Sequence, residues 1–344
     1  MQFLRDEFTD QLRAEVDETT GNVVIEAANF TPQQILEFND DTFEMAFEEW
    51  KSVRKDQYLE KADQILSMYD NSDRFEKLKQ AYQRGSVLPF IGAGLSMPSG
   101  YPSWTDYLYR LCKETIVSEE DLTALISNGQ YEKAAQLLFD AMPHDTFNEH
   151  LENKFDTDRP LVGCVRSLPY CFKSSVITTN FDNVLKRCYD EAECAFDEVL
   201  LGPEATELPK LIGQNKNVLV KLHGKANTAR SRVLTEQEYN HNYNDDHTLE
   251  NCMEAICKKT LLFIGCSLST DRTVSCLKGF LAQNGAEATM RHYAFISIGD
   301  NNDARLARRD ELAEANIFPI WYPADEDHDE CLIALLEKLK EDEV

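Results

Sequence analysis

The apolar run Val87-Leu88-Pro89-Phe90-Ile91 ends directly on Gly92-Ala93-Gly94-Leu95-Ser96. A short, wholly apolar run closed by turn residues reads as a strand buried on both faces. Two glycines just past it let the backbone turn tightly and approach a bound group closely. The amides that follow can receive negative charge, which is how an open α/β sheet makes room for a dinucleotide phosphate. A strand of this kind commits the chain to a sheet covered by helices on either side.

The rest of the chain keeps that pattern. Further apolar runs cover Val176–Thr179, Val218–Leu222, Leu261–Ile264, Tyr293–Ile298 and Ile317–Trp321. Helical spacing occupies Tyr131–Met142, Asp182–Tyr189, Asp271–Ala282, Asp303–Ala315 and Glu330–Leu339. Alternation of this kind predicts an α/β fold: a doubly wound, mostly parallel, Rossmann-like sheet. The stretch from about 105 to 160 has helical patterns without a strand and reads as a helical insertion, one wall of a ligand cleft. Residues 1–84 differ. They are acidic, with Phe43, Phe47 and Trp50, and then Tyr58, Ala62, Ile65, Leu66 and Tyr69, at helical spacing. Val23-Val24-Ile25 suits one short strand, and Asn71-Ser72-Asp73 a turn before a helix that Gly85-Ser86 ends. The expected organisation is a mainly helical appendage over 1–84, which either packs on the catalytic domain or forms an oligomer or partner interface, and a catalytic domain over 85–344.

Composition narrows the function classes. The chain has 344 residues and a net charge of -26, which repels nucleic-acid phosphates and anionic lipid. Direct nucleic-acid binding is therefore not expected. No apolar run approaches the roughly 20 residues that span a membrane, and Asp6, Glu7 and Asp10 leave no room for a secretory signal. A cytoplasmic protein is the expectation. Ten cysteines invite a metal reading, but no CxxC occurs; Cys164 and Cys171, Cys188 and Cys194, and Cys252 and Cys257 are all wider. These read as small buried hydrophobes, with no metal expected.

Four strand ends carry the chemistry: Gly92-Ala93-Gly94-Leu95-Ser96, Thr178-Thr179-Asn180-Phe181-Asp182, Lys221-Leu222-His223-Gly224 and Gly265-Cys266-Ser267-Leu268-Ser269. Each follows an apolar run, so all four belong on one edge of the sheet, where polar groups converge on one crevice. The set resembles the sirtuin (silent information regulator) family, with its GAGxS loop, T-x-N-x-D strand end, HG dipeptide and late G-x-S loop, over about residues 85–270. That resemblance implies NAD bound across the crevice and cleavage of its nicotinamide–ribose bond. By the same resemblance, Asn180 contacts the nicotinamide ribose and orients a water. Asp182 binds the nicotinamide carboxamide or the adjacent site, and His223 takes or relays a proton from a ribose hydroxyl. Gly92, Ala93, Gly94 and Ser96 hold the pyrophosphate, and Gly265 and Ser267 the adenosine side.

Departures from the deacylase branch matter too. The loop continues as Met97-Pro98-Ser99-Gly100-Tyr101-Pro102-Ser103-Trp104, similar to sirtuin-like domains of bacterial anti-phage systems. Between Gly224 and Gly265 only Cys252 and Cys257 occur, too few for the four-cysteine zinc module of deacylases. The resemblance therefore implies an NAD hydrolase that acts in anti-phage defence by depleting NAD. A homo-oligomer and a HerA-type ATPase partner are implied with it. A lysine deacylase and a non-enzymatic NAD or ADP-ribose sensor are the alternatives.

The same residues have plain structural readings. Asn180 and Asp182 suit a helix N-terminus, His223 a hydrogen-bonded core histidine, and Ser267 and Ser269 caps for a helix starting near Asp271. A dehydrogenase is disfavoured, because no acidic residue ends a second strand about 20 residues past the glycines; Glu114 falls on a predicted helix.

Overall fold

The computed structural model describes residues 2–18, 23–25, 28–37, 40–228, 231–245, 248–268, 272–285, 289–299 and 301–341. Ser269 and Asp271 lie outside them. Among the described residues, β1 (Val23–Ile25) and β2 (Ala28–Phe30) form a two-stranded antiparallel ribbon. The others are β3 (Val87–Ile91), β4 (Val176–Thr178), β5 (Glu198–Leu201), β6 (Val218–Lys221), β7 (Thr260–Ile264), β8 (His292–Ile298) and β9 (Ile317–Pro323). They join one sheet in the order β5-β6-β4-β3-β7-β8-β9, and each neighbouring pair is parallel. The doubly wound α/β expectation is borne out.

Every residue of β3, β4, β6 and β7 is buried, as largely apolar strands between two helical layers must be. Pro89 sits in the middle strand, a place that normally excludes proline. The Gly92 N–H donates to the Ile264 carbonyl of β7 at 2.9 Å. By alternation the proline ring nitrogen faces β4, whose ladder with β3 begins only at the Phe90–Ile177 pair, so no bond is lost.

The four expected strand ends are found, but the edge strand β5 was not anticipated. It is short, begins on Glu198 and has only one fully buried residue, so it lacks the apolar run that marks its neighbours. Four helices (Trp104–Cys112, Glu119–Ser127, Tyr131–Asp140 and His144–Phe155) fill the strandless stretch between β3 and β4. The two helical patterns of the N-terminal region are one 27-residue helix, Asp40–Leu66. Its start packs in a small cluster with Phe8, Leu12 and Ile35, whereas Ile65 and Leu66 join Phe75, Leu78 and Tyr82 in a core that covers one face of the sheet. Asn71, fully buried, donates to the Trp321 carbonyl at 2.8 Å and accepts its N–H at 2.9 Å, which closes the outer side of β9.

Candidate active site

Register aligns the strand ends. Lys221 of β6 pairs with Thr178 of β4, Thr178 with Ile91 of β3, and Ile91 with Ile264 of β7. The four motifs start just past this row and share one sheet edge. The winding reverses at β3, so this is the crevice where open α/β sheets take ligands.

The glycines are there for close approach. The Gly94 N–H donates to the Gly265 carbonyl at 2.9 Å. A Cβ on Gly92 would stand 2.3 Å from that same oxygen. Gly265 is in the left-handed region at φ +67°, where a Cβ would meet Leu95 at 2.3 Å. The first and fourth loops therefore pack backbone against backbone. Beside them opens a pocket of about 370 Å³ lined by Gly94, Gly265, Ser267, Ser297 and Arg308. Arg308 Nη2 donates to the Ser267 carbonyl at 2.5 Å and holds that loop to the helix Asn302–Ala313.

On the other side of β3 the polar groups are buried. Asn180 is 5% exposed; its Nδ2 donates to the Gly92 carbonyl at 3.0 Å and to Ser96 Oγ at 3.2 Å. Its Oδ1 is buried and has no hydrogen-bond partner among the described residues. An orphan acceptor of this kind costs about 1–3 kcal/mol unless something donates to it. Asp182, 6% exposed, accepts the Val184 N–H at 3.0 Å, at the start of the helix Val184–Glu191. Burial raises its pKa, while Lys221 and a hydrogen bond from Ser96 pull the other way. Ser96 thus stands with Asn180 and Asp182.

Lys221 had no role in the sequence reading. Its Nζ is buried and donates to the Phe181 carbonyl at 2.9 Å and the Asp182 carbonyl at 2.6 Å. Burial lowers its pKa to about 8. A charged residue ending an otherwise apolar strand was the available signal.

His223 lies two residues past Lys221, as Asn180 lies two past Thr178, on neighbouring strands. It is 8% exposed, and burial lowers its pKa to about 3, so the imidazole is neutral. Tyr239 Oη stands 3.4 Å from its Nδ1 and Tyr243 Oη 3.5 Å from its Nε2. Trp104 packs edge-on against Phe181 at 5.1 Å between ring centres, so the Gly100–Trp104 continuation covers the Asn180–Asp182 loop. The 370 Å³ pocket is lined by neither Asn180 nor His223. A larger cavity, about 890 Å³, lies between the N-terminal helices and the last helix, away from all four motifs.

Residues 174–320, which hold three of the four motifs, match the SIR2-like domain family. Over those residues the chain is similar to the sirtuin family. It is similar to the NAD(+) hydrolase ThsA of Enterococcus faecium, 26% identical over 224 residues, which are 62% of this chain and 45% of that protein. Defense-associated sirtuin 2 of Bacillus subtilis is 25% identical over 218 residues, 61% of this chain and 21% of that protein. The ThsA of Cytobacillus dafuensis is 22% identical over 253 residues, 72% of this chain and 49% of that protein. The alignments span about half or less of these relatives. The first loop, Gly92–Ser96, falls outside the matched residues but joins them through the Gly94–Gly265 and Asn180–Gly92 bonds.

Proposed function

We propose that this protein is an NAD hydrolase that releases nicotinamide and ADP-ribose, and that it serves as an effector of anti-phage defence. The observation that carries the reading is the orphan Oδ1 of Asn180 just past β4, beside the strand that ends at the neutral His223, on the edge where open α/β sheets take dinucleotides. The names of the relatives support the substrate and the setting.

The chemistry follows from these groups. Breaking the nicotinamide–ribose bond develops positive charge on the sugar, as in glycoside hydrolysis. Asn180 Oδ1 is an acceptor for a water or ribose hydroxyl, and the bonds to Gly92 and Ser96 fix its direction. His223 is a neutral acceptor for a hydroxyl proton. With a pKa near 3 it is a weak base in the buried state; a pKa nearer the working pH suits general base catalysis better. Asp182 would bind the nicotinamide carboxamide or the adjacent site, and Ser96, beside it, would join the glycine loop at the pyrophosphate. The glycine loops and Ser267 would take the pyrophosphate and adenosine. The appendage reading of residues 1–84 has support in the separate cluster around Phe8, although Phe75, Leu78 and Tyr82 belong to the sheet's core. A homo-oligomer and a HerA-type ATPase partner are part of this proposal, as is a cytoplasmic site of action.

The test is nicotinamide release from NAD by the purified protein, alone and with the products of neighbouring genes. Asn180→Ala and His223→Ala should each lower the rate by about 100-fold or more. Release that survives both substitutions would sink the residue assignment. No release under any condition would sink the enzyme reading, and peptide-dependent O-acyl-ADP-ribose would redirect it to a deacylase.

A further inference from the structure

Both ring nitrogens of His223 face a phenol, and both phenols come from one short segment. The helix Glu236–Tyr239 starts on a Thr235–Glu238 capping box, in which Thr235 Oγ1 accepts the Glu238 N–H and Glu238 accepts the Thr235 N–H. It runs into a π-helical turn, Asn240–Asp245. Turns of this type are uncommon and concentrate at functional sites. Here the turn brings Tyr239 and Tyr243 to the same side, their rings 5.8 Å apart and 18° from parallel. Tyr239 also meets the imidazole edge-on, with ring centres 5.2 Å apart.

The segment is fixed from behind. Arg232, 3% exposed, bonds Glu238 Oε1 through Nε at 3.2 Å and Nη2 at 2.9 Å. Its Nη1 donates to Asn148 Oδ1 at 2.6 Å, and its guanidinium lies over the Phe147 ring at 5.5 Å. The Gln237 N–H donates to Gln136 Oε1 at 3.1 Å. The helices between β3 and β4 therefore anchor the tyrosines that face His223.

A neutral imidazole has one N–H donor and one bare acceptor nitrogen, and a phenol can serve either. Its ring torsion is otherwise broad and two-fold. We propose that Tyr239 and Tyr243 are positioning residues for His223: one hydroxyl accepts from the protonated nitrogen, the other donates to the bare one, and together they fix the ring plane. The contacts of 3.4 and 3.5 Å are long for hydrogen bonds, as is common before substrate closes a site. This arrangement also leaves a contact weak enough for a substrate hydroxyl to displace. The catalytic consequence rests on the proposed role of His223, whereas the hydrogen bonding can be read without turnover.

The experiment uses the full chain with ¹⁵N-labelled histidine, comparing unaltered protein, Tyr239→Phe, Tyr243→Phe and the double variant. Phenylalanine keeps the rings and removes only the hydroxyls, and a circular dichroism spectrum checks folding. In the unaltered protein both His223 ring nitrogens should report hydrogen bonding, with His223→Gln identifying the signals. Nδ1 should lose it in Tyr239→Phe and Nε2 in Tyr243→Phe. Identical ring-nitrogen shifts in all the tyrosine variants would overturn the proposal. In nicotinamide release the double variant should lower kcat at least tenfold with KM within about twofold, a split that general loosening of the fold does not produce. An unchanged kcat beside an inactive His223→Ala would overturn the positioning role alone. Release unaffected by His223→Ala would sink the role of His223, with the ring-nitrogen result still standing or failing by itself.

Discussion

Lys221 shows how a single buried cation can shape the site without facing the ligand. Its ammonium ends β6 and ties down two consecutive carbonyls, those of Phe181 and Asp182. The loop that presents Asn180 is thereby pinned from one side, while the Asn180–Gly92 bond pins it from the other. Replacing Lys221 with Met keeps the volume roughly but leaves two carbonyls and the Asp182 carboxylate without their cation. Lys221→Met should cost about 2–4 kcal/mol, read as a lower urea midpoint; a midpoint equal to the unaltered protein's would contradict this account. The sequence made Asn180, Asp182 and His223 legible because each follows an apolar strand in a recognisable order. Lys221, Tyr239 and Tyr243 were harder to see. Their significance depends on which backbone or ring stands opposite, and that is set by the sheet order and by a π turn.

Elements were legible in proportion to their burial. β3, β4, β6 and β7 are wholly buried and carry apolar runs, so composition marked them within a residue or so, whereas β5 at the edge has one buried residue among four. The junction of β7 and β8 adds a feature that periodicity cannot encode. His292 opens β8 fully buried, and its Nδ1 accepts the Leu261 N–H of β7 at 3.1 Å. Burial lowers its pKa to about 4 from an ordinary 6.5. The unfolded chain therefore binds a proton that the folded one does not between roughly pH 6.5 and 4. Stability from this group is fully present above that range and is lost as pH falls through it, at up to about 1.4 kcal/mol per pH unit. His223 acts in the same direction. His292→Leu should lower stability at pH 7 by about 1–3 kcal/mol through the unpaired Leu261 amide, yet reduce the loss between pH 7 and 5. Urea unfolding at the two pH values checks both, and an unchanged acid sensitivity would refute the assignment to His292.

At the scale of the whole molecule, the helix Asp40–Leu66 joins two bodies of packing. Ala46 and Phe47 belong to the small cluster with Phe8, Leu12 and Ile35, and Ile65 and Leu66 to the core on the sheet. Its second half is fastened to the last helix and the segment just before it by Lys61 with Glu330 and Glu326 and by Lys338 with Asp63. These are partly exposed pairs worth about 0–1 kcal/mol each, so burial of Ile65 and Leu66 does most of the anchoring. The small cluster is too limited to be stable by itself and should borrow its order from the continuity of this helix. The exposed Lys55 lies between the two ends. Lys55→Pro would remove one helical hydrogen bond and crowd the preceding turn, about 3 kcal/mol at a position that touches neither core. Calorimetry of the unaltered protein should then give one cooperative transition. The variant should give two, a small early one for the N-terminal cluster and a main one near the original temperature. A single transition shifted down as a whole would mean that the two bodies are coupled by more than the helix.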